Sequence, residues 1–221
     1  MIGGAYLGVT AANLSLLLEG FRITIELTAL CTLLSVPLGA LIGFARTAPM
    51  PALRAAGAIY VELLRNIPPL ILLFFFFFGL PGIDITIDGF TCGALAITLY
   101  TSAFVAEAVR AGINAVDRGQ VDAVRSLGFG YFGALRHVIV PQALAMVLPA
   151  LGNILIGIVK NTALVASIGV ADLMHQGEVV ESHTFKTFAT FATVAAFYLA
   201  LIVPISIGFA ALDRRRMRRA R

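Results

Sequence analysis

Thr98, Thr101 and Ser102 fall at i, i+3 and i+4 of an apolar stretch, which sets three hydroxyls on one face of a helix. Such hydroxyls either bond a neighbouring helix or line a path for a polar solute. Asn153, close to Gly152, Gly157 and Lys160 on the face of Pro149, adds a side-chain amide. Small and polar residues on one face of an apolar helix point into a bundle or cavity. Thr98, Thr101, Ser102 and Asn153 are thus the candidates for a solute path, with bonding between helices the alternative for the three hydroxyls. Glu107 lies three residues before Arg110, spaced for a local ion pair, and together with Lys160 these form a candidate gate or scaffold. All of this is hydrogen-bonding and charge chemistry. No nucleophile–base pair and no metal cluster stands out, so no catalytic residue and no metal ligand is assigned. His175 and His183 lack a Cys partner or an HExxH spacing and read as part of a solvated loop. Cys31 and Cys92 sit in or beside apolar runs and read as core residues. The two lysines, Lys160 and Lys186, follow no GxxxxGK[ST] pattern, so this chain has no phosphate-cradling loop and no cofactor of its own is expected.

The elements that hold these residues follow from composition. The chain of 221 residues is 59% hydrophobic and 13% charged, with a mean hydropathy of +0.94, against about 25% charged in an ordinary soluble domain. Runs 27–45, 66–83, 89–106, 138–159 and 187–212 contain no Asp, Glu, Lys or Arg. A helix needs roughly 20 such residues to cross ~30 Å of hydrocarbon, and an open sheet could not satisfy its backbone there. The expected fold is an all-α polytopic membrane protein in one domain over 1–221, with five transmembrane helices at about 21–46, 59–81, 89–115, 139–160 and 187–212. Residues 11–18 read as a short interfacial helix entering the first span, with a sixth span as the alternative; they lack the basic start of a signal peptide.

Orientation follows from Lys and Arg. With five spans and the C-terminus in the cytoplasm, segments 46–65, 107–137 and 213–221 hold three, four and six arginines, against Arg22, Lys160 and Lys186 outside. The positive-inside rule selects this arrangement, N-terminus outside and C-terminus inside. The basic tail from Asp213 then serves to fix topology and touch anionic lipid, and no nucleic-acid partner is implied.

Inside the spans, Gly39 and Gly43 form a small-xxx-small pair that lets a second backbone approach. Pro68 and Pro69 free carbonyls in the second span, whose phenylalanines 74–78 occupy every face of a helix. The fourth span is expected to begin at Pro141, at the first helical position, and to kink at Pro149.

The polar connection 116–138 is punctuated with care. Asp117 can cap a helix starting at Arg118, with Gln120 reaching back from the third position. Val121, Val124 and Leu127 then share an apolar face, Arg118, Asp122 and Arg125 a polar one, and Gly128 fits a left-handed stop. A helix of about ten residues is unstable alone. It either lies on the inner leaflet or docks to a soluble partner, and geometry alone leaves both open. A second short segment, Tyr131 to His137, leads back to the membrane.

Spacing points further. Asp122-Ala123-Val124, three residues, Gly128, nine residues and Val138-x-Val140-Pro141 resemble the signature EAA–x3–G–x9–I–x–L–P of permease subunits of binding-protein-dependent ABC importers. Asp122 stands where Glu is usual and Val124 where Ala is usual. YVELLRNIPPL at 60–70, FVAEAVRAGINAVDRGQVDAVRSLG at 104–128 and KNTALVASIGVADL at 160–173 resemble segments of that family's polar amino-acid branch, covering about 50–175. Asn66-Ile67-Pro68-Pro69, Leu72 and Phe104 depart from the commoner pattern.

The resemblance implies a MetI-like permease core of five helices, paired with a second permease subunit in a homo- or heterodimer and mounted on two ATPase subunits that bind ATP and Mg. It implies delivery of a polar or acidic amino acid, glutamate being the favoured case, by an extracytoplasmic binding protein at the bacterial inner membrane. In that family the loop helix docks in a groove of the ATPase, which assigns coupling to Gly119, Asp122, Ala123, Leu127, Gly128 and Pro141. A non-amino-acid solute is the alternative within such importers. A secondary transporter would need internal repeats and intramembrane coupling charges, and a scaffold or channel subunit would not need the spaced loop.

Overall fold

The computed structural model describes residues 2–219, with side chains over 12–117 and 119–214. Among these residues the chain is helical without a strand: α1 (Ile2–Ala45), α2 (Pro51–Asn66), α3 (Pro69–Phe74), α4 (Gly89–Asn114), α5 (Arg118–Ser126), α6 (Tyr131–Ala134), α7 (Val140–Asn161), α8 (Leu173–Thr184) and α9 (Thr187–Arg219). Ala12–Ala45, Gly89–Asn114, Tyr131–Ile168 and Thr187–Arg214 are long and apolar enough to cross a membrane, and the interrupted pair Pro51–Asn66 and Pro69–Ile83 makes a fifth if counted as one span. This is the all-α polytopic class expected from the charge-free runs.

The boundaries differ from expectation in four places. Residues 11–18 are not a separate interfacial helix: the break in α1 falls inside them, at Asn13 (φ −122, ψ 17), and from there the helix runs on to Ala45. The second span is broken where a continuous helix over 59–81 is expected. Pro68 is extended (φ −56, ψ 136) between α2 and α3, because a residue preceding proline is pushed out of the α region and neither proline donates an N–H. Beyond α3 the chain passes through a π turn, Phe75–Gly79, and a 3₁₀ turn, Leu80–Ile83. The fourth span does not start at Pro141. Helix begins at Tyr131 and continues through a π turn, Leu135–Ile139, into α7. Pro141 cannot donate to the carbonyl one turn back, and a π turn directly before it absorbs the missing bond. Finally, His175 and His183 belong to α8, a capped and packed helix, where a solvated loop is expected.

Contacts within the chain group into two compact units. One comprises the residues up to Leu33, Ile67–Thr98 and Leu155–Ile205. Its core holds Leu17, Leu173, Val180, Ala189 and Val194, and a second cluster of Leu27, Cys31, Ala94, Ile97, Ile158 and Val165. Cys31 and Cys92 are buried free thiols. The other comprises Leu34–Asn66, Leu99–Ile154 and the chain from Ser206. There α1 packs on α4 through Gly39 and Gly43: a Cβ on Gly39 would lie 2.5 Å from the Ser102 carbonyl oxygen, and one on Gly43 would lie 2.7 Å from Val109 Cβ. Val105 and Val109 are buried there beside Val147, and Val61 of α2 is buried beside Ala103 and Ala106.

Candidate coupling segment and solute path

The connection between α4 and α7 is built from local signals. Asp117 caps α5, its Oδ1 accepting from the Gln120 backbone N–H at 3.3 Å. The Gln120 side chain does not reach back to the cap as expected; its Oε1 accepts from Nε2 of Gln142, in the first turn of α7. At the other end Gly128 takes φ +85, its N–H bonding the Arg125 carbonyl at 2.9 Å while the Phe129 N–H bonds the Val124 carbonyl at 3.3 Å. Those two bonds are the Schellman stop, and they need a left-handed residue at Gly128.

Only part of the expected apolar face turns inward. Val121 and Val124 are half-buried, and Val121 packs with Ile113 and Leu135 on Val116, Ile139 and Ala143. Leu127 is 77% exposed; six residues beyond Val121, it stands about 120° round the helix from it, off the packed side. With Phe129 at 45% and Phe132 at 80% it forms an uncovered apolar lip around Gly128. Gly119, Asp122, Ala123 and Arg125 are exposed on α5, and Pro141 is exposed at the start of α7. The Arg118 side chain, expected on the polar side, lies outside the described residues. Tyr131 ties the returning segment to the end of α1 by donating to the Thr47 carbonyl at 3.4 Å.

Glu107 is more than half of a local pair. Its carboxylate accepts from both the Arg110 guanidinium and Arg46 Nη1, with Arg65 Nη1 4.0 Å away. The Arg65 guanidinium also stacks over the Phe104 ring at 5.2 Å. One carboxylate thus gathers three arginines from α2, α4 and the turn after α1, leaving net positive charge. The spacing of Glu107 and Arg110 reveals one partner; Arg46 and Arg65, 61 and 42 residues distant in sequence, carry no local signal.

The expected solute-path residues differ in exposure. Thr98, Thr101 and Ser102 are buried at 6%, 3% and 0% exposure. Ser102 pairs with the Tyr60 hydroxyl at 2.7 Å and donates to the Leu99 carbonyl at 2.8 Å, so it works in helix packing. Asn153 is exposed on α7, next to Gly152, whose backbone lies against Phe209. Lys160 is exposed in the last turn of α7, where a cation suits the helix C-terminus.

A polar cluster in the other unit goes unnoticed in the sequence reading. Asp172 is fully buried and caps α8, accepting from the His175 N–H at 3.0 Å, while Tyr198 donates to its Oδ2 at 3.3 Å. The Leu173 N–H bonds Thr24 Oγ1 at 3.2 Å. Burial pushes the Asp172 carboxyl up to about 6, against the lowering effect of the His175 and Met174 N–H groups. An Asp before Leu173 is a helix-start signal, but Gln176 and Gly177 on the buried face hide the apolar period of α8.

The residues from Ser35 onward match a known family over 35–218, described as binding-protein-dependent transport system inner membrane component. The chain is 42% identical over 203 residues to the probable glutamine ABC transporter permease protein GlnM of Bacillus subtilis (strain 168), covering 92% of this chain and 94% of that one. It is 35% identical over 212 residues to the glutamate transport system permease protein GluC of Corynebacterium efficiens, with 90% and 93% covered. Its fold superposes with a TM-score of 0.87 on the crystal structure of an amino acid ABC transporter with histidines, at 35% identity and 93% and 96% coverage. The inward-facing MetNI methionine ABC transporter, at 21% identity and a TM-score of 0.80, shares the fold. With a family match spanning most of its length and relatives aligned nearly end to end, the chain belongs to the binding-protein-dependent transport system inner membrane components.

Proposed function

We propose that this chain is the membrane permease subunit of an ATP-driven importer for a polar amino acid of the glutamine and glutamate class, in a bacterial inner membrane with its N-terminus outside and its C-terminus inside. Relatives named for glutamine and for glutamate transport, at 42% and 35% identity, support the substrate class. A binding protein outside delivers the solute, and two ATPase subunits hold ATP and Mg beneath a dimer of permeases. In this reading α5 docks on an ATPase subunit and passes its closure to the spans.

The observation that carries the coupling role is a nine-residue helix, capped at both ends, that ends in an uncovered apolar lip. A helix this short has no stability of its own, and exposed Leu127, Phe129 and Phe132 gain from burial on a partner. The test is affinity purification of the tagged chain from its native membrane in mild detergent, with mass spectrometry of what accompanies it and uptake of labelled glutamine and glutamate by the recovered complex in liposomes. A co-purifying ATPase that is lost when 117–128 is scrambled, with ATP-dependent uptake of one of the two, is expected. A folded chain that brings down no ATPase, under conditions that preserve a known importer, overturns the reading.

A further inference from the structure

We infer that Gln120 and Gln142 form a latch that makes the coupling helix move with span α7, which makes both of them positioning residues for transmission. The inference rests on the importer reading above. The Gln120 side chain has an alternative at hand, the return bond that completes a capping box, and it is not used. Its Oε1 instead accepts from Gln142 Nε2, 22 residues along the chain. The other side-chain hydrogen bonds described for α5 and its cap stay local: Asp117 to the Gln120 N–H, and Ser126 to the Asp122 carbonyl.

The course of the backbone makes this bond matter. Between α5 and Gln142 the chain passes Gly128 in a left-handed turn, then Gly130, Gly133 and the π turn Leu135–Ile139. Displacement of α5 carried along that path would be taken up by glycine dihedrals and by the irregular turn. A direct side-chain link bypasses it. Gln142 directly follows Pro141, where the backbone lacks an amide donor, so the link meets α7 at the point its own ladder is interrupted. Beneath it Val121 rests on Ile139 and Ala143, so the apolar contact supplies adhesion and the amide pair supplies register. Two neutral amides can be exchanged for a charge pair of similar reach, which gives the test a rescue.

The experiment uses the complex recovered as above, in proteoliposomes, and reads labelled glutamine or glutamate moved per ATP hydrolysed. In Gln142→Leu and Gln120→Leu the ratio is expected to fall ~3- to 10-fold, the scale of one lost hydrogen bond, while the ATPase stays bound and hydrolysis continues. Gln120→Glu combined with Gln142→Lys restores the ratio at low salt and loses it again at high salt, because an exposed ion pair is screened. An unchanged ratio in the single variants, or a charged double variant no better than they are, overturns the latch. Loss of the ATPase from both single variants also overturns it, since the bond would then be holding α5 together and not linking it. A wild-type chain that brings down no ATPase defeats the importer reading itself, a result separate from these.

Discussion

The Tyr198 hydroxyl donates to Oδ2 of Asp172 at 3.3 Å, giving a carboxylate buried under α8 one of its few polar contacts outside its own helix start. Burial holds that carboxyl at about 6, above its ordinary 3.8. A folded value above the unfolded one means the protonated group favours the fold. Its contribution is complete below about 3.8 and lost as pH rises through about 6. The gap of about two units is worth at most roughly 3 kcal/mol. Asp172→Asn keeps an oxygen for the His175 N–H and removes the charge. The variant should therefore melt higher than the parent at pH 7.5 in detergent and match it at pH 4.5, with the parent alone losing stability between the two. Parallel melting curves across that range would show that Asp172 is not titrating in the fold.

Glu107 faces Arg46, Arg110 and Arg65, so neutralising it leaves three guanidiniums without their anion. The side chains are 12–40% exposed, which places them between a surface pair and a buried one. Glu107→Gln should cost about 2 kcal/mol, read as a lower melting temperature of the detergent complex. Adding Arg46→Met should recover part of that loss, since it removes one of the stranded charges. A double variant worse than the single would show that Arg46 contributes packing independent of Glu107.

Much of this arrangement was legible from residue types, and the failures have physical causes. Long charge-free runs fix helices that cross lipid, and Asp117, Gly128 and the Gly39–Gly43 pair act through local backbone geometry that sequence spacing reports. Pro68-Pro69 is expected to free carbonyls within a continuous second span, whereas the restriction on the residue before proline ends the helix outright. Pro141 looked like a helix start because a first-turn proline needs no donor, yet a π turn lets the helix run through it. The partners of Glu107 and Asp172 come from elements far along the chain, and Thr98, Thr101 and Ser102 show that a polar seam records which face is inward without recording what it meets there.

Gly128 has φ +85, and no atom outside its immediate neighbours lies within 4 Å of where a Cβ would be. Crowding is thus not the obstacle to substitution; backbone conformation is. A β-branched residue held there costs ~1–3 kcal/mol, enough to unwind the stop after α5 and let Leu127 and Phe129 wander. Gly128→Val should lower ATP-coupled uptake severalfold while the chain still inserts in the membrane, whereas Gly128→Asn, which tolerates the left-handed region, should retain most of it. Uptake in the Val variant equal to the parent's would separate the Gly128 turn from coupling.

Asn153 and Ser102 belong to one expected path, yet they differ in surroundings. Ser102 is fully buried and satisfied by the Tyr60 hydroxyl and its own helix, whereas Asn153 is exposed on α7. Ser102→Ala should leave the Tyr60 hydroxyl with the longer bond to the Leu99 carbonyl, at 3.4 Å, and lower stability by about 1 kcal/mol, with little change in the solute concentration for half-maximal uptake. Asn153→Ala should leave the melting temperature alone and raise that concentration, by roughly tenfold if its amide bonds the solute directly. The two readouts are measured on the same reconstituted complexes, by thermal scan and by uptake of labelled glutamine and glutamate. If Ser102→Ala shifts the half-maximal concentration and Asn153→Ala does not, the buried hydroxyl seam opens to the solute during transport and α7 presents Asn153 to something else.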